Sequence, residues 1–548
     1  MTSGIDEYTS ADIRSLYSFV CYGARNAGLN AVAISYFGRD ITYGEFLESV
    51  EDAASGLYAH GVRKGDSVTI YLPNIPQCVI AVYAVNRLGA VCNLVHPLST
   101  RKELEYCVSL TKSRIIFAYE GNEKNTIGLG AEIIRCRLPE YFPQSLKGAV
   151  MEAVFNHSVK KMSKAPHITE WSALCELGTA CRTDLPVHDV SSDDIAAVMY
   201  TGGTTGDSKG VMLTNAAINS SSATSLDVLL PGRDCIGLSV LGILPVFHAF
   251  GFAIIIHQTL CFGMRIVLLP SFDEKKCANL ILKEKLEVVI GVPTMFERLY
   301  PYLSKYALSF IRVIGSGGDR VSHDLAERYN ALLTQTKFRT GYGMTESCGC
   351  CALESGDYLD HPDGCIGPAI GSNKCCLVNP GTDEVIDNSL EGELCIQTPA
   401  MMAGYYDNPE ATAAVLRRHA DGEIWLHTGD IATIDHDGRI LFRSRYKRMM
   451  KVNGFNVYPT QIETTMEACP VIRDVCAVPM PWKTDVRVKL YVTLNNPAMN
   501  HEMAVEEISC YARTHLNRWS SPKEIRIISE MPKTKLNKTD YQKLSEEK

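Results

Sequence analysis

The sequence predicts an α/β fold, with a large N-terminal domain of doubly wound mixed sheets and a small β-rich part, then a small α+β domain at the C-terminus. Three observations predict it. Apolar runs of strand length alternate with helical stretches between residues 65 and 316, which is the rhythm of βαβ units on a parallel sheet. Beyond residue 380 the pattern shortens to brief strands and turns, and beyond Met449 helix and strand signals mix again. Finally, 548 residues exceed what one ordinary core organises, so one large or compound domain and a smaller one are expected.

Taken in order, Thr42 is an N-cap candidate for a helix reaching His60. Gly65-Asp66 opens an alternating strand over 67–72, a helix follows over 76–88, and the next strand covers 90–94. Further strands are expected at 114–119, 195–199, 243–244, 265–269, 288–292 and 311–316. Residues 141–164 break the rhythm. Met151, Val154, Phe155, Val159 and Met162 fall near helical spacing, with Lys147, Lys160, Lys161 and Lys164 elsewhere on the turn. Such a helix either packs on its own domain or makes weak peripheral contact with a membrane through 147–164. Residues 238–270 are apolar, but Pro245, His248, His257 and Arg265 interrupt them before the roughly 20 residues of a membrane span are reached. After residue 380, 392–396 reads as a strand and Asp437-Gly438 as a hairpin turn. The densest positive run is Arg443-Ser444-Arg445-Tyr446-Lys447-Arg448, and the domain boundary is placed inside it, giving 1–445 and 446–548.

Composition narrows the function. Apolar residues make up 46% and charged residues 21%, as in a soluble globular protein, and the net charge of −8 argues against a nucleic-acid partner. The first ten residues are polar and lack the apolar core of a signal peptide, so a cytoplasmic protein with reduced thiols is expected. Cys348, Cys350 and Cys351 cluster, as do Cys375 and Cys376, but without the paired spacing of zinc ligands; they read as small buried thiols.

The stretch that carries chemistry is Tyr200-Thr201-Gly202-Gly203-Thr204-Thr205-Gly206-Asp207-Ser208-Lys209-Gly210, set between two apolar runs. Glycines let backbone N–H groups approach an anion, threonine hydroxyls donate, and lysine adds a point charge, which together make a phosphate cradle. It is not the Walker loop, because Ser208 precedes Lys209 and Gly210 follows it. A second stretch, Gly341-Tyr342-Gly343-Met344-Thr345-Glu346-Ser347, places a hydroxyl beside a carboxylate, suited to one phosphate oxygen and one magnesium ion.

These two stretches resemble signatures of the acyl-adenylate-forming superfamily, with Gly203 where serine is common and Ser208 where proline is common. The resemblance covers nearly the whole chain, and its Thr-Gly-Gly-Thr-Thr-Gly form looks like that of bacterial long-chain fatty acid CoA ligases. It implies that the β-rich part is barrel-like and that the C-terminal domain is mobile. Thr201, Gly202, Gly203, Thr204, Thr205, Gly206 and Lys209 would then hold the phosphates of ATP. Thr345 would take the α-phosphate, Glu346 the Mg²⁺, and Tyr342 with Gly343 the adenine, beside a loop Gly317-Gly318-Asp319 whose aspartate departs from the usual pattern. Asp430, in Leu426-His427-Thr428-Gly429-Asp430, would accept from the ribose hydroxyls, joined by Arg445. Leu244-Pro245-Val246-Phe247-His248 resembles the mouth of the acyl pocket, with His248 near the carboxylate. Pro532-Lys533-Thr534-Lys535-Leu536-Asn537-Lys538 resembles the final motif, with Asn537 for glycine and Lys538 as the catalytic lysine. Lys447 matches the hinge, and the segment from Lys451 through Gly454 to Pro459 resembles the loop that enters the site for the second half-reaction, where Lys451 and Gly454 would meet coenzyme A.

The resemblance implies an ATP-dependent ligase that activates a carboxylic acid as acyl-AMP and passes the acyl group to CoA, with ATP, Mg²⁺ and CoA as its small molecules. No aspartate lies between 238 and 270 to pair with a substrate amine, which disfavours an amino acid. Gly341 leaves room for a long acyl group, and 247–256 and 291–296 are expected to supply apolar walls without a charge. A medium- or long-chain fatty acid is therefore expected, the alternatives being an aryl acid or an acyl-AMP ligase that loads a carrier protein.

Overall fold

The computed structural model describes residues 13–158, 167–182, 185, 190–201, 208–232, 235–452, 455–482, 485–534 and 539–547. Contacts divide the chain into two units, residues 1–375 with 396–426, and residues 376–395 with 427–548.

The first unit is built on two eight-stranded mixed sheets. One runs Ala352–Leu353, Phe338–Tyr342, Val313–Gly317, Val288–Gly291, Ser239–Gly242, Arg265–Leu268, Val32–Tyr36 and Arg39–Thr42, parallel except at its two edges. The other runs Gly404–Tyr405, Lys209–Thr214, Ile195–Thr201, Val91–Leu94, Ser67–Tyr71, Ile115–Tyr119, Glu132–Cys136 and Ile168–Glu170. Its first three strands pair antiparallel and the remainder parallel. Strands buried on both faces favour apolar residues, which is why most of them read as continuous runs; Ser67–Tyr71, expected to alternate, is buried from Val68 to Tyr71. The helix Pro76–Arg87 is buried at every residue from Pro76 to Asn86, as a helix wrapped by protein on all sides must be.

Local signals hold where they were expected. Thr42 caps the helix Tyr43–Ala59, accepting from the Glu45 N–H at 3.2 Å while the Glu45 carboxylate accepts from the Thr42 N–H at 2.8 Å. The strand expected at 243–244 lies earlier, at Ser239–Gly242. Pro245 cannot donate to a ladder, and the Asn74 side chain takes over there: it donates to the Leu244 carbonyl at 2.7 Å and accepts from the Val246 N–H at 3.1 Å. Within 238–270 the chain forms a π-helix, Phe250–His257, continued by Gln258–Cys261, and no described helix is long and apolar enough to cross a membrane. In the helix Leu146–Ser158, Met151 and Phe155 pack on the core, whereas Leu146, Val150 and Val154 are exposed at 84%, 56% and 66%. Val159 and Met162 lie outside the described residues.

In the second unit, segments 430–434 and 440–445 pair antiparallel across a turn with Gly438 at φ +79°, and a hairpin joins Met450–Val452 to Phe455–Val457. A three-stranded sheet, Ile472–Trp482, Asp485–Leu494 and Glu524–Ile527, carries the helices Pro459–Glu467 and His501–His515. They close around a core that includes Met450, Val452, Ile462, Val488, Leu490 and Ile508. Arg448 anchors the start of this part by pairing with Glu463 and lying 4.8 Å from the Tyr541 ring.

Candidate functional site

The phosphate-loop stems are the antiparallel strands Ile195–Thr201 and Lys209–Thr214, in which Thr201 faces Lys209 across the ladder. Tyr200 fixes the first stem by donating to Asn93 Oδ1 at 2.7 Å. Gly202, Gly203, Thr204, Thr205 and Gly206 lie outside the described residues.

Lys209 leads to Glu346 through a residue the sequence did not single out. Its Nζ lies 4.6 Å from the centre of the Tyr405 ring, and the Tyr405 hydroxyl donates to Glu346 Oε1 at 2.8 Å. Tyr405 is held from the backbone: Tyr406 N–H donates to Gly210 O at 2.7 Å, Ala403 N–H to Met212 O at 2.9 Å, and Met402 N–H to Glu346 O at 2.9 Å. Burial, then the neighbouring Glu346 charge, pushes the Tyr405 phenol well above its ordinary pKa, so it stays a donor. A carboxylate with one oxygen held this way can turn its other oxygen to a hard cation, so the donor set fits Mg²⁺. Tyr405→Phe is expected to weaken the Mg²⁺ dependence of ATP binding about 10-fold and to leave AMP binding without metal unchanged; titration calorimetry with and without Mg²⁺ measures both.

The signature strand Phe338–Tyr342 delivers Thr345, Glu346 and Ser347 in a single 3₁₀ turn. Gly343, just past this strand, and Gly317, on the neighbouring strand, are fixed by crowding. A Cβ on Gly343 would sit 1.8 Å from the Gly349 carbonyl oxygen, and one on Gly317 would sit 2.9 Å from that of Gly341. Gly318 has φ +78°, a left-handed value that favours glycine. Asp319 is exposed, and its carboxylate accepts from the Arg320 N–H at 2.9 Å.

Between Gly317-Gly318 and Tyr342-Gly343 lies a cavity, also lined by His248. Its walls are mostly apolar, with Phe250, Ile254, Ile290 and Leu353 among them. Of the two segments expected as walls, the first supplies Phe250 and Ile254, while Met295 and Phe296 of the second pack into a separate core cluster. Cys350 also faces the cavity, and burial pushes its thiol up to about 12, so it is inert as a nucleophile. The lining also includes Arg339, a cation the sequence reading missed. Strand alternation could have found it, since Arg339 shares a face with Gly341 two residues on.

In the second unit, Asp430 and Arg445 are register partners, and Asp430 Oδ1 lies 2.8 Å from Arg445 Nε. Asp430 is fully buried while Arg445 is half exposed. The turn before it is set by side chains: Gly429 N–H donates to Glu393 Oε1 at 3.0 Å and Asp430 N–H to Thr428 Oγ1 at 3.0 Å. Lys451 is exposed on its hairpin strand, opposite Asn456, while Gly454 lies outside the described residues. Lys447 sits in a short 3₁₀ turn, Tyr446–Arg448. Lys538 also lies outside the described residues; Lys533 and Thr539, on either side of it in sequence, form a β-bridge.

Comparison with known proteins gives the chain a family. The AMP-binding enzyme family model matches residues 23–406, and that of the AMP-binding enzyme C-terminal domain matches 461–538. The chain is 29% identical over 528 residues to a long-chain-fatty-acid--CoA ligase of Bacillus subtilis, covering 94% of this chain and 91% of that one. It is 30% identical over 505 residues to the Salmonella typhimurium ligase of the same description, covering 89% and 86%. It is also 28% identical to 4-coumarate--CoA ligase 2 of rice, Oryza sativa subsp. japonica, over 91% of this chain and 86% of that one. Among solved structures, ATP-bound MatB from Rhodopseudomonas palustris superposes with a TM-score of 0.81 at 24% identity, covering 96% of this chain and 98% of that one, which shows a shared fold. With two signature stretches, a family match over most of its length and CoA ligases as its relatives, the chain belongs to the acyl-adenylate-forming AMP-binding enzymes and is an AMP-forming acyl-CoA synthetase.

Proposed function

We propose that this synthetase activates an apolar carboxylic acid, a medium- or long-chain fatty acid, and transfers the acyl group to CoA. The observation that carries the proposal is the mostly apolar cavity, opened by Gly341 and flanked by His248 and the Tyr342 signature. A carboxylate is a poor electrophile. Its oxygen attacks the α-phosphorus of ATP, pyrophosphate leaves, and the acid oxygen becomes part of AMP, a good leaving group. The CoA sulfur then attacks the acyl carbon, AMP departs, and the thiol proton is released.

The roles follow the chemistry of each group. Thr345 donates to the α-phosphate, and Lys209 with Thr201 and the loop through Gly206 holds the β- and γ-phosphates. Mg²⁺, when bound at Glu346, supplies positive charge against the charge growing on phosphorus. Tyr342, Gly317 and Gly318 flank the adenine, and Asp430 accepts from the ribose with Arg445 beside it. Lys538 supplies a further cation for adenylation. The domain comprising 446–548 turns about Lys447 between the half-reactions, and the Lys451–Gly454 segment then meets the pantetheine arm. The protein acts in the cytoplasm, and the exposed face of the 146–158 helix supports weak peripheral contact with a membrane.

Each methylene buried in the cavity contributes about 0.8 kcal/mol, or roughly a factor of four in binding. Catalytic efficiency should therefore climb with chain length until the tail meets the cavity floor. Measuring kcat/KM for acetate, hexanoate, decanoate, palmitate, benzoate and cinnamate tests this. A clear preference for acetate or an aryl acid overturns the choice of substrate.

A further inference from the structure

The turn that carries Thr345 and Glu346 ends in a conformation that its sequence does not favour. Cys348 closes the 3₁₀ turn Thr345–Ser347 with φ +53° and ψ +39°, in the left-handed region where a β-carbon is crowded. Among the described residues other than glycine, Phe37, Lys112, Lys285, Cys348 and Asp407 have positive φ, and of these Cys348 alone is buried. Its conformation is therefore set by what surrounds it. Gly349 follows with φ +107°, and a glycine leaves the peptide that joins the two residues free to rotate. That peptide is held from both sides. The Gly349 N–H donates to the Met344 carbonyl at 3.0 Å and closes the turn on itself. The Cys348 carbonyl accepts from Ser221 Oγ at 2.6 Å, a bond that spans 127 residues.

Ser221 stands on the helix Asn215–Leu229, which begins where the phosphate-loop stem Lys209–Thr214 ends. Thr214 caps this helix by accepting from the Ala217 N–H at 3.1 Å, and Ser222 ties it to the π-helix by donating to the Ala253 carbonyl at 2.7 Å. Serines inside helices commonly turn their hydroxyls back onto the preceding turn, as Ser222 does toward the Ile218 carbonyl and Ser225 toward that of Ser221. The Ser221 hydroxyl instead donates across to Cys348. It thus joins a helix continuous with the phosphate-loop stem to the turn that presents Thr345 and Glu346.

We propose that Ser221 is a positioning residue for adenylation: by holding Cys348 left-handed, it keeps Thr345 and Glu346 in register with the phosphate-loop stem. The inference rests on the roles given above to Thr345 and Glu346, and adds the residue that sets their turn. Without the hydroxyl, Cys348 relaxes toward the right-handed region, and the turn before it shifts, carrying Glu346 away from the Mg²⁺ it would hold. C348G removes the β-carbon that opposes the left-handed conformation, so the turn then needs no outside donor. The two positions should therefore be coupled, with S221A harmful alone and mild in combination with C348G.

The test is a double-mutant cycle of wild type, S221A, C348G and S221A/C348G. Titration calorimetry measures ATP affinity with and without Mg²⁺, and thermal melting measures folding. We expect S221A to lose about 10-fold of the gain in ATP affinity that Mg²⁺ confers. C348G should stay within about 3-fold of wild type, and S221A/C348G should return to the same range. A bond that served the fold alone would, when lost, lower the melting temperature and leave the Mg²⁺ dependence where it was. Folded S221A with normal Mg²⁺ dependence therefore overturns the inference, as does folded S221A/C348G that is no better than S221A. If S221A does not fold, recovery of the fold and of Mg²⁺ dependence in S221A/C348G supports the inference, and failure to recover either overturns it. Wild-type ATP affinity that Mg²⁺ leaves unchanged overturns the Glu346 role and this inference together. The acid panel above tests the substrate reading separately.

Discussion

Lys538→Ala is expected to lose acyl-adenylate formation by about 10²- to 10³-fold while still converting supplied acyl-AMP and CoA to thioester at close to the normal rate. The size follows from what one preorganised donor is worth when negative charge develops, about 2.7–4 kcal/mol. In the first half-reaction phosphorus becomes five-coordinate and gains charge. In the second, the attack falls on an acyl carbon, and the phosphate leaves with the charge it already shares with its surroundings. A lysine serving only the first step should separate the two. The described residues on either side of position 538 are joined to each other by bonds that do not involve it. Lys533 Nζ donates to Thr539 Oγ1 at 3.3 Å, and Asp540 N–H donates to Pro532 O at 2.8 Å. Pyrophosphate release reports the first half-reaction, and thioester formed from synthetic acyl-AMP reports the second. Equal loss of both in a folded variant would sink the assignment.

Much of the fold was legible because its determinants are local or periodic. The Thr42 cap and the turn at Gly438 depend on neighbours in sequence, and parallel strands buried on two faces write themselves as apolar runs. What was not legible depended on partners far along the chain. Segment 243–244 has the composition of a strand, but Asn74, some 170 residues earlier, supplies its hydrogen bonds and removes the need for a ladder. The 291–296 segment reads as apolar wall from composition, yet only the fold decides which side of the strand an apolar residue serves; Met295 and Phe296 serve a core.

The site divides along the same line. Gly343 of the signature stretch and Gly317 on the neighbouring strand are dictated by contacts of 1.8 Å and 2.9 Å that any side chain would violate, and such constraints leave a readable motif. Tyr405 leaves none, because its link to Glu346 spans 59 residues and exists only once a two-residue strand has paired with Lys209–Thr214. Arg339 was hidden differently. It stands two residues before the Gly341 stretch, where alternation gives its face, but its bond to Leu229 bridges 110 residues and no local pattern announces it.

Gly454→Trp is expected to stop thioester formation while leaving adenylation within about 3-fold of normal, so that acyl-AMP accumulates. Residues 453 and 454 connect strands whose last paired residues are Val452 and Phe455, and Asn-Gly is the dipeptide most favoured in two-residue hairpin connections. Two requirements are proposed for Gly454, one for a turn that tolerates positive φ and one for close passage of the pantetheine arm. They predict different series. If the turn alone matters, alanine should be about as harmful as tryptophan, since either Cβ meets the same backbone strain, and both half-reactions should fall with stability. If the thiol path matters, alanine should be mild, tryptophan should cost about 10²-fold or more in the second step, and the first should be spared. The neighbouring Lys451 is exposed on the same hairpin, so its substitution by methionine supplies a control that weakens attraction for the CoA phosphates without filling space. Single-turnover measurement of acyl-AMP and thioester in the alanine, tryptophan and Lys451→Met variants separates these outcomes, and thioester formed by Gly454→Trp at the normal rate would remove the hairpin from the second half-reaction.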